Sequence, residues 1–171
     1  TICRSLYTPS TGLFHPTAWM ATKKPLEPYR QDLDRAEALL DEAGWIDSDN
    51  DGIRDREIDG RSVPFEFTVV CSQQPMAQDI CTLLQQSLER IGVRVNVKPT
   101  EFTVLQQLLL EKKFDAAFGG WGTGTDPDTA ENIWATGAGR NFGSYSNPEV
   151  DRLFVEGRTE IDRSKRGEKY A

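Results

Sequence analysis

Apolar positions three and four residues apart predict an amphipathic helix in the segment DLDRAEALLDEAGW. The apolar face of this helix consists of Leu33, Ala36, Leu40 and Ala43. Gly44 follows at the position where a residue in the left-handed conformation commonly ends a helix. The pattern therefore predicts that the helix stops just before Trp45 and leads into the acidic segment 47–59.

The pattern then changes to strand, helix and strand. The segment FEFTVVC, 65–71, is rich in β-branched and aromatic residues, and VRVNVK, 93–98, alternates valine with polar residues. Between them a helix is predicted from Pro75 to Gly92. Its expected buried stripe is Met76, Ile80, Leu84, Leu88 and Ile91. Because no hairpin turn separates the two strands, we expect a right-handed crossover and parallel pairing.

The second half of the chain continues the alternation. TVLQQLLLEKK predicts a helix and FDAAFGG a strand. Asp126-Pro127 and Asn147-Pro148 each place a capping side chain before a proline, which predicts two further helix starts. The last helix is expected to bury Val150, Leu153 and Phe154. This order predicts an α/β fold in which helices flank a mostly parallel sheet.

The charge of the chain disfavours some partners. Asp and Glu number 27 against 20 Lys and Arg, for a net charge of -7. Phosphate contacts need a basic surface, so nucleic acid and anionic membranes are disfavoured. The most basic segment, 158–169, is interrupted by acidic residues, and we interpret it as a solvated helix face.

Cysteine and histidine are too few for the usual structural zinc sites, which need four cysteines or two of each. Cys71 and Cys81 are either two buried free thiols or a bridge. His15 lies in LFHPTAW without an adjacent nucleophile, and neither a nucleophile elbow nor a P-loop occurs. We therefore predict no catalytic residues. The alternative, an acid-rich α/β hydrolytic domain, requires paired carboxylates with raised pKa values facing one cleft.

The segment GGWGTGT follows a predicted strand, and open α/β sheets bind ligands at the carboxyl ends of their strands. We predict that the Trp121 indole stacks on a ligand; the alternative is a tight turn with the indole in the core. The predicted ligand contacts are Trp121, Gly122, Thr123, Gly124, Thr125, Asp126, Asn141, Phe142 and Tyr145. For the last three, the alternative is that both rings are core and Asn141 is a turn residue. Acidic residues at the next helix start favour a neutral or cationic ligand.

The segment DSDNDGIRDREID begins like a calcium loop. Asp47, Asp49 and Asp51 stand at positions 1, 3 and 5, and Ile53 offers its carbonyl at position 7. Position 12 is Ile58, so Asp55 or Asp59 has to close a variant loop. The alternative is a solvated acidic turn that joins a helix to a hairpin. This structural calcium is the only cofactor that the sequence suggests.

Taken in order, these segments resemble the extracellular solute-binding proteins of family 5, the peptide- and nickel-binding type that serves ABC importers. The similarity covers about residues 5–171 and includes EALLDEAGWIDSDNDG, PFEFTVV, LLQQSLERIGVRVNV, FDAAFGGWGTGTDPD and SYSNPEVD. In family members with peptide ligands, an aspartate shortly after the tryptophan pairs with the α-ammonium group. Here Gly122, Thr123 and Gly124 follow Trp121. A sugar, an opine-like compound or another polar solute therefore stays an alternative to a peptide ligand.

The resemblance implies a periplasmic-binding-protein-like type II fold, with residues 1–171 as one lobe of a two-lobed protein. It also implies a periplasmic or extracellular location, compatible with a lipid anchor at an N-terminus outside this chain. The expected partners are a small solute or peptide, an ABC permease in the membrane and the first lobe of the same protein. The implied role is solute capture and delivery without catalysis.

Overall fold

The computed structural model describes residues 11–22, 24, 27–122 and 124–171, which form two compact units. The sheet unit is Arg30–Gly120. The helical unit consists of Trp121–Ala171 with the described residues of Cys3–Tyr29. The assignment of 1–171 to one lobe stays a prediction.

A three-stranded parallel sheet is the centre of the sheet unit. Its strands are β3 (Glu66–Ser72), β4 (Arg94–Thr100) and β5 (Ala116–Ala117), in the order β4-β3-β5. The connecting helices are α2 (Pro75–Glu89) and α3 (Phe102–Leu110). The crossover and the parallel pairing agree with the sequence prediction, while β5 is only two residues long.

The sheet unit begins with helix α1, Leu33–Glu42, and a hairpin of β1, Asp55–Ile58, with β2, Arg61–Pro64. Gly44 has φ +80, and the amide of Trp45 donates to the carbonyl of Leu40 at 2.9 Å. This is the Schellman arrangement, which glycine favours because it has no Cβ to oppose a positive φ. The predicted helix end is confirmed.

Helix α2 packs on the sheet through a face that only partly matches the prediction: Leu88 packs against the core and Ile91 is buried, as expected. Ala77 and Cys81 are its buried residues, whereas the side chains of Met76 and Leu84 are 48% and 42% exposed. The amide of Gln85 occupies the same face and donates to the carbonyl of Val95 at 2.7 Å. The prediction was wrong for Met76 and Leu84 because two small residues and a satisfied polar one form the contact face.

Arg54 connects the segments around the hairpin. Its guanidinium donates to the carbonyls of Ile91 and Trp45 at 2.8 and 2.7 Å and pairs with Asp41 at 2.5 Å. The side chain of Arg54 is only 14% exposed, so these bonds satisfy a nearly buried cation.

The helical unit contains a 3-10 turn and three helices in its described residues. These are the turn Pro127–Ala130, α4 (Glu131–Trp134), α5 (Pro148–Thr159) and α6 (Arg163–Tyr170). Asp126 and Asn147 accept the amides of Asp128 and Glu149 at 2.9 and 3.0 Å, so both predicted N-caps are confirmed. Each such cap stabilises a helix by about 1 kcal/mol.

The C-terminal segment differs from the prediction of one solvated helix. α5 ends at Thr159, and Asp162 starts α6 by accepting the amide of Lys165 at 2.9 Å. The two helices pack closely, because Gly157 of α5 leaves room for the ring of Tyr170. A small core of Phe14, Met20, Ala130 and Phe154 lies beneath them. No described helix combines the length and the apolar character that crossing a membrane requires.

Candidate functional site

Trp121 is the first residue of the helical unit's main segment and follows β5 by four residues. Its side chain is 45% exposed, so the alternative of an indole buried in the core is wrong. A Cβ built on Gly119, Gly120 or Gly122 meets no heavy atom within 4 Å, and none of these glycines has a positive φ. Their lack of side chains therefore leaves space beside the backbone instead of permitting a special turn.

Two side chains from one loop contact the indole of Trp121. The ring centroid of Phe142 lies 5.4 Å from that of Trp121 at an interplanar angle of 44°. The guanidinium carbon of Arg140 lies 5.5 Å from the indole centroid, within the range of a cation–π contact. We call these three residues the Trp121 cluster. Arg140 is the member that the sequence reasoning missed.

Asn141 holds the loop that supplies Arg140 and Phe142. It is 4% exposed; its side-chain amide donates to the carbonyls of Ala135 and Tyr145 at 3.0 and 2.7 Å. Its side-chain oxygen accepts the amide of Tyr145 at 2.9 Å. Both amide hydrogens are used, so Asn141 is a positioning residue of the loop and fits the turn-residue alternative.

A second aromatic pair lies on the same loop. Tyr145 is 39% exposed and meets Trp134 edge to face, with ring centroids 5.9 Å apart. Tyr145 is therefore not a core residue, whereas Phe142 is half-buried against Trp121. Both rings present surface that a ligand could contact.

The acidic residues at the start of the next helix form ion pairs with arginines. Asp126 accepts two hydrogen bonds from Arg166, which hold the pKa of its carboxyl below the ordinary value together with the amide of Asp128. Arg158 pairs with Asp128 and with Glu131. The expectation that these acids repel an anionic ligand loses its basis, because each carboxylate already has a cationic partner.

A cavity of about 400 Å³ lies elsewhere in the helical unit. Thr125 and Asp126 line it, together with Trp19, Arg158, Glu160, Ile161, Arg163 and Arg166. The structure thus brings Thr125 and Asp126 to this cavity and not into the Trp121 cluster. Gly124 is exposed and packs near Thr129, and Thr123 lies outside the described residues.

The predicted calcium loop is folded around its own amides. Asp47 accepts the amides of Asp51 and Gly52, and Asp51 accepts that of Ile53 at 2.7 Å. Asp47, Asp49 and Asp55 have carboxylate oxygens within 4.8 Å of one another. The described cluster of possible metal ligands therefore contains Asp55, and not the predicted Asp51.

Asp55 is also part of the hairpin. Its carboxylate accepts the hydroxyl and the amide of Ser48 at 2.7 and 2.9 Å, and the hydroxyl of Ser62 at 2.9 Å. The bonds from Ser48 lower the pKa of Asp55 most, with a smaller contribution from Ser62. These bonds agree with the alternative of an acidic turn leading into a hairpin, and the calcium site stays a prediction.

The features required for hydrolysis do not come together in the described residues. The exposed ring of His15 bonds Thr17 at 2.8 Å. Cys71 and Cys81 are buried free thiols. Where surroundings shift the pKa of a described carboxyl, they lower it, as in Asp126 and Asp151. The raised pKa values of the hydrolytic alternative are therefore not met.

Comparison with known proteins gives the context of this geometry. The family model for bacterial extracellular solute-binding proteins, family 5 Middle, matches residues 1–144. The oligopeptide-binding protein AppA of Bacillus subtilis is 31% identical over 141 residues, which cover 80% of this chain and 25% of AppA. The chain thus spans about a quarter of the length of the curated relatives that it matches.

Solved structures agree with this assignment. AppA from Bacillus subtilis in complex with a nonapeptide superposes with a TM-score of 0.81 at 29% identity, covering 94% of this chain and 32% of that one. NikZ from Campylobacter jejuni in complex with Ni(L-His) gives 0.71 at 27% identity, covering 89% and 31%. The α/β architecture is thus that of type II periplasmic binding proteins.

Proposed function

Because the chain belongs to the bacterial extracellular solute-binding proteins of family 5, we propose that it helps to capture a small polar solute for an ABC importer. An oligopeptide is the first candidate for that solute. In this proposal the chain supplies one wall of the site, a first lobe outside these residues supplies the other, and a membrane permease receives the solute. A lipid anchor at the N-terminus of the complete protein would keep it near that permease.

The observation that carries the proposal is the exposed indole of Trp121 next to Gly122, whose Cβ position has open space around it. An exposed aromatic ring offers a large, rigid apolar surface at a low cost in conformational entropy. A glycine whose Cβ position has no heavy atom within 4 Å allows a ligand to approach the backbone closely. Together they form a surface that a ligand can cover, which supports a role in binding.

The relatives support a peptide in first place. The curated relatives include oligopeptide-binding proteins, and AppA was solved with a nonapeptide. NikZ was solved with Ni(L-His), so the same fold also accepts other solutes. This chain has Gly122 and Gly124 close after Trp121, where an aspartate would have offered an ammonium contact.

The experiment uses the protein at its full encoded length, purified from its source without denaturation. Native mass spectrometry should detect a bound solute, and a pool of random pentapeptides should displace it. Retention of pentapeptides is the expected result. A protein that carries no solute and retains no pentapeptide would contradict the proposal.

A further inference from the structure

The charged side chain in contact with the Trp121 indole is that of Arg140. The helical unit contains five arginines from 121 onward, and Arg152, Arg158 and Arg166 each pair with described carboxylates. Within the described residues, the side chain of Arg140 has no ion pair, and its guanidinium lies near the face of the indole. Arg140 is also exposed, and its guanidinium forms no hydrogen bond with a described acceptor.

A guanidinium beside an aromatic ring keeps most of its binding capacity. The cation–π contact uses the planar face, whereas the five N–H donors lie in the plane and stay free. These donors match the two oxygens of a carboxylate in a bidentate pair. When a closing site excludes water, such a cation is stable only if an anionic partner replaces its hydration.

We infer that Arg140 binds a carboxylate of the solute whose adjoining apolar part packs on Trp121. This inference rests on the proposed function and adds the chemical class of the ligand. For an oligopeptide, the carboxylate is the C-terminal group.

The acidic residues that follow Trp121 in the sequence are paired with other arginines. Asp126 is bound by Arg166, and Asp128 by Arg158, in contacts of 2.8 to 3.3 Å. Their negative charges are therefore compensated locally. In the Trp121 cluster, Arg140 has no carboxylate partner among the described residues. The local electrostatic field there therefore favours an anionic group.

The loop holds Arg140 in place before any ligand arrives. The backbone amide of Arg140 donates to the carbonyl of Asn132 at 3.0 Å, and the buried Asn141 fixes the next residue. The carboxylate of Asp151 accepts the amide of Thr136 at the start of the loop at 2.8 Å. A preorganised loop lowers the entropy cost of binding and supports a role in specificity.

The test compares two pools of random pentapeptides without Asp and Glu, one with a free C-terminal carboxylate and one with a C-terminal amide. Retention by the full-length protein is measured by native mass spectrometry. We expect the wild-type protein to prefer the carboxylate pool by about 10-fold or more, the range of a charged hydrogen bond. Arg140→Gln should remove this preference, and Arg140→Lys should keep part of it.

Arg163→Gln is the matched control, because Arg163 also lies over a tryptophan, 4.9 Å from the ring centroid of Trp19. It should keep the full preference, and the thermal midpoints of all variants confirm folding. Equal retention of the two pools by the wild-type protein would overturn the inference and leave the proposed function standing. A preference that survives in Arg140→Gln would also overturn it. Retention of neither pool would overturn the inference, and the additional absence of any other bound solute would overturn the proposed function.

Discussion

The guanidinium of Arg166 in α6 binds both carboxylate oxygens of Asp126, at 2.8 and 3.1 Å, across 40 positions of sequence. The same carboxylate accepts the amide of Asp128 and so caps the 3-10 turn. Asp126 is therefore a structural residue of the helical unit, although the sequence suggested it as a ligand contact. An ammonium group of a solute would have to compete with Arg166 for these oxygens.

This pair predicts how stability depends on pH. Arg166 first, and the amide of Asp128 second, lower the folded-state pKa of Asp126 from the ordinary 3.8. A lowered folded-state pKa contributes stability above the unfolded-state pKa and loses it as the pH falls through the folded-state value. We expect the free energy of unfolding to decline below about pH 4 for this reason.

The measurement is urea unfolding between pH 2 and 6 for wild type and Asp126→Asn. The asparagine variant should be less stable at pH 6 and should lose less stability on acidification. Glu168→Gln is the control, since Glu168 is exposed and has no salt bridge in the described residues. Parallel acid limbs for wild type and Asp126→Asn would contradict the prediction.

Gly157 predicts a steric effect between α5 and α6. A Cβ at this position would lie 2.4 Å from the Tyr170 ring, which itself packs on Phe14 and Phe154. In a free helix, Gly→Ala would stabilise by about 1 kcal/mol, but overpacking costs about 1–3 kcal/mol. We expect Gly157→Ala to destabilise the protein by about 1–2 kcal/mol in urea unfolding.

A double variant identifies the cause of that loss. In the background of Tyr170→Ala, the same Gly157→Ala change should be neutral or stabilising, because the clash is gone. An equal loss of stability in both backgrounds would rule out the contact with Tyr170 as the cause.

Cys81 predicts an unreactive thiol. Burial first, and the neighbouring Cys71 thiol second, raise the pKa of Cys81 to about 11. Because the thiolate is the nucleophile, the native protein should resist iodoacetamide at pH 8, and the unfolded protein should react rapidly. Peptide mass spectrometry measures the alkylation of Cys71 and Cys81. Fast labelling of the native protein, or a bridge between the two, would contradict free buried thiols.

The calcium hypothesis for the acidic loop is decided by titration calorimetry. A site formed by Asp47, Asp49 and Asp55 should bind calcium with a dissociation constant of about 0.1–1 mM, as in extracellular modules. Asp49→Asn should abolish the heat. Asp59→Asn should not, because Asp59 is outside the described cluster. Absence of heat at millimolar calcium would contradict the calcium site and leave the solvated acidic turn as the interpretation of this segment.

Local patterns predicted much of this structure, because caps and helix ends depend on adjacent residues. Asp126, Asn147 and Gly44 act as their sequence positions suggested. The parallel crossover followed from the order of elements alone. The break after Thr159 was missed, although Asp162 is an N-cap signal within the segment.

Contacts between distant segments could not be predicted. One partner of Trp121 is Arg140, 19 positions away, and nothing in the local sequence distinguishes it from a solvated arginine. The buried face of α2 depends on how closely the helix approaches the sheet, so Ala77 and Gln85 lie there in place of Met76 and Leu84. The amino-acid composition predicts neither the contact between Trp121 and Arg140 nor the buried face of α2.

The central claim is that the exposed indole of Trp121 contacts the solute. It is tested by calorimetry on the full-length protein with the solute that native mass spectrometry identifies, comparing wild type, Trp121→Phe and Trp121→Ala. We expect Trp121→Ala to raise the dissociation constant by about 10-fold or more, as for a central aromatic contact, and Trp121→Phe to have a smaller effect. An unchanged dissociation constant in a correctly folded Trp121→Ala protein would contradict the account.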